Sequence, residues 1–183
     1  MSETANINRL LDLAGGGDRQ AWNRLVALVY PDLKRLARTA FIEGAALTLN
    51  TTALVHECYL RLERAQGAPR DRGHLMALAA RIMRQVLTDH ARERLAAKRG
   101  AGAPMLDVDE VQIPDERQFG LLVEIDTALD RLAAIEPRQA QVFECRYFGG
   151  LNDADTALAL GASPRTVHRD WDAARAWLAE NIG

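Results

Sequence analysis

The segment Gly150–Trp171, GLNDADTALALGASPRTVHRDW, decides the fold of this chain, because it holds the signals that end one helix and begin another. Asn152 is a residue type that caps helix N-termini, and Gly161 stands where a helix must end in a sharp turn. Ser163 and Pro164 suit the N-cap and the first position of the next helix. Two helices joined by such a turn predict a helix-turn-helix.

The second helix of this pair has one apolar side and one polar side. Its apolar residues recur at helical spacing: Val167, Trp171, Ala174 and Leu178. Four polar residues lie off that stripe, near the helix end that a recognition helix presents to the major groove: Arg165, Thr166, His168 and Arg169. Arginine can read guanine through two donors, and Thr and His can contact phosphates or bases. We therefore predict DNA contact here; the alternative is a helical hairpin with arginines on its solvent face.

Helix-period patterns dominate the rest of the chain, and strand-like alternation is nearly absent. Asp18 is expected to cap the second helix, and Thr51 or Thr52 the third. The predicted helices cover residues 6–14, 19–40, 53–65, 74–98, 120–134, 137–148, 152–160 and 164–178. Between the fourth and fifth helices, residues 100–118 hold five carboxylates and one arginine. The prediction is an all-α protein with two small helical domains, 1–98 and 120–183, joined by a flexible acidic linker at 99–119.

Composition limits the possible functions. A net charge of −2 excludes a protein that holds nucleic acid by bulk positive charge, but it allows local basic patches. Two cysteines, Cys58 and Cys145, cannot form a disulfide framework and are expected in the core. The polar N-terminal start and the lack of a long apolar stretch predict a soluble, cytoplasmic protein with no membrane partner.

The fourth helix carries a local excess of positive charge. Six cations stand there against Asp89 and Glu93, and they are Arg81, Arg84, Arg92, Arg94, Lys98 and Arg99. Such an excess suits a DNA phosphate backbone, although a run of this kind is commonly a solvated helix face. The helix-turn-helix downstream favours the DNA interpretation.

The third helix places an apolar residue among charges. Its core stripe is Leu54, Val55, Cys58, Tyr59 and Leu62, whereas its opposite face is Ala53, Glu57, Leu60, Arg61 and Arg64. Leu60 on that charged face is consistent with a partner surface. It is equally consistent with the single exposed leucine that many proteins tolerate.

These motifs together resemble the extracytoplasmic-function (ECF) group of bacterial RNA polymerase sigma factors. LVHECYLRL at residues 54–62 is similar to the group's DLVQE-x-F-L-R-L helix, and AARIMRQVLTDHAR at 79–92 is similar to its promoter-reading helix. Residues 132–178 are similar to its C-terminal helix-turn-helix. The motifs stand in the family's order and cover nearly the whole chain.

The resemblance implies a transcription initiation factor that binds core RNA polymerase and promoter DNA, with no catalytic residues, metal or cofactor. It implies docking on the beta-prime clamp through Leu54, Glu57, Leu60 and Arg61, with the C-terminal domain on the beta flap. It implies −10 element recognition by Arg81, Arg84, Asp89, Arg92, Lys98 and Arg99, and −35 recognition by Arg165, Thr166, His168 and Arg169. Asp89 enters only through the motif, and an internal salt bridge is its alternative role. Leu54 alternatively belongs to the core.

Two places depart from the family pattern. No Phe, Trp or Tyr occurs between Leu60 and Gln118, so promoter melting would rely on arginines and Met83 rather than on aromatic stacking. The family usually carries carboxylates just before the docking motif, where this chain has Thr51, Thr52 and Ala53. We hypothesise that a Ser/Thr protein kinase phosphorylates Thr51 or Thr52 and restores that negative charge. The alternative is that both threonines serve only as helix caps.

Two other classes of protein compete with this interpretation. A stand-alone helix-turn-helix regulator would bind duplex DNA without polymerase, but it leaves the third and fourth helices without a role. An enzyme has little support, because His56-Glu57 lacks the second histidine of a metalloprotease motif at the position of Leu60. The four histidines also show no metal-ligand spacing.

Overall fold

A computed structural model describes residues 3–40, 50–65, 69–100 and 116–183, and these ranges form eight α-helices. They are α1 Glu3–Gly15, α2 Arg19–Ala40, α3 Thr51–Arg64, α4 Arg72–Gly100, α5 Glu116–Ile135, α6 Pro137–Phe143, α7 Asp153–Leu160 and α8 Pro164–Asn181. A π-helical turn, Glu144–Phe148, continues α6. Within the described ranges there is no β-strand, so the all-α prediction is confirmed. Most of the predicted acidic linker, residues 101–115, lies outside them.

Four helices, α1, α3, α4 and α5, begin two to four residues earlier than the hydrophobic pattern predicts, and contacts of the structure explain the starts of α4 and α5. α4 starts at Arg72 because Asp71 caps it, with its Oδ1 accepting a hydrogen bond from the backbone N–H of His74 at 2.8 Å. α5 starts at Glu116, inside the predicted linker. Phe119 in its first turns is buried and packs edge-on against the His90 ring, so this end of the helix has an apolar contact of its own.

The predicted cap of α3 is wrong. Asn50 caps the helix, because its Oδ1 accepts a hydrogen bond from the backbone N–H of Ala53 at 2.8 Å. Thr51 and Thr52 are the first two residues inside the helix. Asparagine is the stronger capping residue, and its extended backbone (φ −79°, ψ 163°) is typical of this position. The Asp18 cap of α2 is confirmed, since its Oδ1 accepts hydrogen bonds from two backbone N–H groups.

One hydrophobic core runs through both halves of the chain. It includes Leu25, Leu33 and Met83 from the N-terminal helices and Leu129 and Phe148 from the C-terminal half. α4 lies between the two groups, packing against α3 and also against α5, α7 and the π-helical turn. The two groups of helices are therefore in contact. Their predicted division into domains at residues 98 and 120 stays a prediction.

Part of this contact depends on a small residue. A Cβ atom added to Gly73 would lie 2.9 Å from the Cα of Ala159, closer than real Cβ atoms approach. The start of α4 can therefore approach the backbone of α7 only because residue 73 has no side chain.

Both cysteines lie in the core, as predicted. Cys58 and Cys145 are buried free thiols, and burial raises the pKa of each to about 12. They are therefore protonated and unreactive at neutral pH. Among the described helices none is both long and apolar enough to cross a membrane.

The cap of α3 can be tested by mutation. Replacing Asn50 with alanine removes the acceptor for the Ala53 N–H, and we expect the free energy of unfolding to fall by about 1 kcal/mol. Urea unfolding followed by circular dichroism measures it. Thr51→Ala keeps the Asn50 cap and should cost clearly less; an equal loss from both variants would contradict the assignment.

Candidate nucleic-acid interface

α7 and α8 form the predicted helix-turn-helix. Asn152 begins α7 by accepting a hydrogen bond from a first-turn backbone N–H at 2.8 Å. The helix ends at Gly161, whose φ of +63° lies in the left-handed region that favours glycine. The Oγ of Ser163 then accepts a hydrogen bond from the Thr166 N–H at 3.1 Å, and Pro164 is the first residue of α8. The cap and turn assignments made from the sequence for this helix-turn-helix are confirmed.

The apolar and polar sides of α8 separate as the spacing predicts. Val167, Ala174 and Leu178 are buried, and Trp171 is half-buried. The predicted DNA contacts lie on the other side: Arg165, His168 and Arg169 are exposed, and Thr166 is half-buried with its hydroxyl hydrogen-bonded to Ser163. The N-terminal turns of α8 are thus open to solvent.

Carboxylates lie beside two of these side chains. The Nδ1 and Nε2 atoms of His168 are 3.4 Å from Asp153 and 3.6 Å from Asp172. The Arg169 guanidinium is 3.3 Å from an oxygen of Asp170. A DNA phosphate would compete with these carboxylates.

The buried side of α8 is anchored to α6. Asp170 is only 2% exposed and accepts a hydrogen bond from the Arg138 Nε of α6. Burial alone would raise the pKa of Asp170, but the hydrogen bond and charge of Arg138 outweigh it and hold that pKa below its usual value. The Trp171 ring stacks on Phe143 at 5.3 Å between centroids, and the Arg146 guanidinium lies 4.4 Å from the Trp171 centroid. These contacts fix the angle at which the exposed end of α8 leaves the protein.

The anchor predicts a pH-dependent stability. Asp170→Asn should lower the free energy of unfolding by about 1–2 kcal/mol at pH 7, because it removes a charged acceptor whose partner is half exposed. Since the folded-state pKa of Asp170 is lowered, this stabilisation is complete above the unfolded pKa of about 3.9 and is lost as the pH falls through the folded value. Denaturant unfolding of both proteins from pH 7 down to pH 3 should show the difference shrinking only at the acid end. A constant difference would contradict the role of ionised Asp170.

The sequence profile of the ECF sigma factor family matches residues 4–183. The chain belongs to the ECF sigma factor family. The match includes the N-terminal helices, for which a stand-alone helix-turn-helix regulator has no use. No curated protein matches the sequence. As a sigma factor, the protein binds core RNA polymerase and directs it to promoters.

In this sigma factor the predicted −10 residues of α4 differ in their surroundings. Arg81 and Lys98 are exposed, and the side chain of Arg99 lies outside the described residues. Asp89 accepts a hydrogen bond from Arg61 of α3 at 2.9 Å, which is the salt-bridge role that the sequence left open for it. Arg84, by contrast, is buried.

Arg84 lies among three carboxylates of the C-terminal half. Its Nε is 3.1 Å from Asp126, its Nη2 2.8 Å from Asp130 and its Nη1 3.1 Å from Glu144. The side chains of Asp126 and Glu144 are only 6% and 10% exposed. Burial raises the pKa of Glu144, and the positive charge of Arg84 opposes that rise. Asp126 also accepts a hydrogen bond from Arg92, at 2.8 Å.

These carboxylates were not predicted from the sequence, although it holds a signal for them. Asp126 falls three residues before buried Leu129 on α5, so it lies on that helix's apolar stripe. Glu144 stands four residues from both Ala140 and Phe148, which are also buried. A carboxylate on a buried stripe needs a partner, and that requirement could have pointed to a buried cation.

The predicted docking residues of α3 also differ in their exposure to solvent. Leu54 is fully buried, which is the core alternative that the sequence left open for it. Glu57 is exposed, and Leu60 and Arg61 are half-buried. Within the described ranges, no group of three His, Cys, Asp or Glu side chains could hold a metal ion.

Proposed function

We propose that this sigma factor reads the −35 element with the first turns of α8 and the −10 element with α4. One observation carries the proposal: an anchored helix-turn-helix projects Arg165, His168 and Arg169 into solvent while its apolar stripe is buried. A protein that reads duplex DNA in this way needs a rigid, exposed helix end that can insert into the major groove. Exposed Arg81 and Lys98 supply positive charge on α4 for the second element.

Arg165 is the sharpest test of the −35 role. Arg165→Ala should lower run-off transcription by about tenfold from a promoter selected in vitro with the reconstituted holoenzyme, because a bidentate contact to guanine is lost. The control is Arg175→Ala, on the same helix but ten residues further along, where the guanidinium lies 5.7 Å from the Trp171 centroid. Equal transcription by wild type and Arg165→Ala would contradict the assignment.

We further propose that the exposed face of α3 docks on the beta-prime clamp, through Glu57, Leu60 and Arg61, and that the C-terminal helices lie on the beta flap. Leu54 supports this surface from inside the core, since it is fully buried. The docking end of α3 begins with two threonines instead of acidic residues.

Phosphorylation of Thr51 or Thr52 is proposed to restore the missing charge. Asn50 already provides the cap of α3, so neither hydroxyl is needed for that purpose. Thr52 is exposed and Thr51 is half-buried, and a phosphate on either residue would stand at the positive end of the helix dipole. It would add a charge of about −1.5 to −2 near the docking surface. A Ser/Thr protein kinase would then control polymerase binding.

The modification predicts a charge-dependent affinity for polymerase. Kinase-treated protein and the Thr51→Glu or Thr52→Glu variant should retain about tenfold more core polymerase in a pull-down than unmodified protein or the alanine variants. Thr127→Glu is the charge control, because Thr127 is an exposed residue of α5. Equal binding by all of these proteins would end the hypothesis, and the residue whose alanine variant loses the kinase effect identifies the site.

A further inference from the structure

The ion-pair network around Arg84 joins the two groups of helices. Arg84 and Arg92 belong to α4, whereas Asp126 and Asp130 belong to α5 and Glu144 to the π-helical turn. Asp126 contacts both arginines, one through each carboxylate oxygen. Two arginines of the basic helix are therefore paired with carboxylates of the C-terminal half.

The Arg84 guanidinium makes a specific contact with several carboxylates at once. All three guanidinium nitrogens lie within 3.1 Å of a carboxylate oxygen, each from a different residue. The Nη2 atom donates a hydrogen bond to Asp130, whereas Nε is close to Asp126 in charge contact without the geometry of a hydrogen bond. The Arg84 side chain is only 6% exposed, so a charge there without its partners would be strongly destabilising. The close approach of Gly73 to Ala159 and the apolar packing around it hold the same two halves together. The contact between the two halves thus depends on matched charges as well as on complementary shape.

Carboxylates and phosphates are the two anions that arginine binds through paired donors. We propose that Asp126, Asp130 and Glu144 act as an internal substitute for DNA, occupying Arg84 and Arg92 and so holding the free sigma factor in a closed state that withholds these two arginines from the −10 element. This inference rests on the proposed DNA-binding role of α4. The contact must break before these two arginines of α4 can meet a promoter.

Closure acts on one promoter element and not on the other. The DNA side of α8 is exposed in the closed state, whereas Arg84 is buried and Arg92 is paired. A protein that is mostly closed binds with an affinity reduced by its open fraction. The expected signature is weak binding of the free protein to DNA that engages α4, with the weakness removed when the carboxylates are neutralised.

The first measurement is the distance between the two halves in the full-length protein. Fluorescent donor and acceptor are attached to cysteines introduced at exposed Arg24 of α2 and Glu180 of α8; Cys58 and Cys145 are buried and stay unlabelled. Wild type should give high energy transfer, and the variant Asp126→Asn/Glu144→Gln should give clearly lower transfer. The control Glu124→Gln/Glu136→Gln removes the same charge from exposed positions and should behave as wild type.

Asp126→Asn/Glu144→Gln is designed to open the protein by removing charge. A second opening variant is designed to separate the two halves by a steric clash instead. Gly73→Leu places a side chain against the Ala159 backbone and 3.2 Å from the capping Asp71 oxygen, and it alters no residue of the ion-pair network around Arg84. Leucine favours the helix it joins. Circular dichroism verifies that each variant is folded. Unchanged energy transfer in both folded opening variants would overturn the closed state; if the charge variant fails to fold, Gly73→Leu alone decides this point.

The second measurement is binding of a fluorescent single-stranded DNA of mixed sequence at low salt. Both opening variants should bind it about tenfold more tightly than wild type and the charge control. Arg84→Gln should also open the protein but gain less affinity, because it loses one of the cations that closure conceals. Opening with no gain in DNA affinity would overturn the role of the carboxylates as a DNA substitute.

Failure of the proposed function gives a different result. Arg81→Ala alters an exposed cation whose positive charge also acts on Glu144, so its energy transfer is measured alongside its transcription. Loss of holoenzyme transcription in Arg81→Ala, together with unchanged energy transfer in the opening variants, would keep the −10 role and reject the closed state. Normal transcription in Arg81→Ala would instead count against the −10 role, whatever the distance measurement shows.

Discussion

The ion pairs of the Arg84 guanidinium are the interactions on which the arrangement of the two helical groups depends. The guanidinium lies in the contact between α4 and the C-terminal helices, and its charge is matched by Asp126, Asp130 and Glu144. A buried ion pair contributes little net stability compared with apolar packing, yet removing one partner is costly. Such a contact favours one relative placement of the two groups over others, because any shift leaves a charge buried without its partner.

The helix-turn-helix, in contrast, is determined by local sequence signals. Asn152, Gly161 and Ser163 each act within a few residues of their own position, through a cap or a left-handed turn. The stripe from Val167 to Leu178 then fixes which side of α8 is buried. The exposed end of α8 is therefore a direct consequence of sequence periodicity, and Asp170 with Arg138 adds the anchor that holds the helix in place.

This contrast explains what the sequence could and could not predict. The helices, their buried stripes and the helix-turn-helix follow from spacing and capping within single segments. The Asn50 cap was assignable in principle, since asparagine outranks threonine at that position, but the adjacent threonines obscured it. The pairing of Arg84 with Asp126 joins residues 42 positions apart, and no helical period relates them. On sequence alone Arg84 belongs with its exposed neighbours in a basic helix, and only the packing of α5 on α4 separates it from them.

The network also connects the proposed docking surface with the contact between the two halves. Arg61 on α3 pairs with Asp89, Asp89 lies 3.9 Å from Arg92, and Arg92 pairs with Asp126. A partner that draws Arg61 away leaves Asp89 with Arg92 as its nearest cation, which strengthens that attraction at the expense of Asp126. Asp126 is buried and also pairs with Arg84. Weakening its contact with Arg92 therefore makes the free energy of packing α5 on α4 less favourable. The proposed docking at the α3 face and the proposed release of α4 would thereby be linked through four side chains, and a negative charge added at Thr51 or Thr52 would act at the start of that same helix.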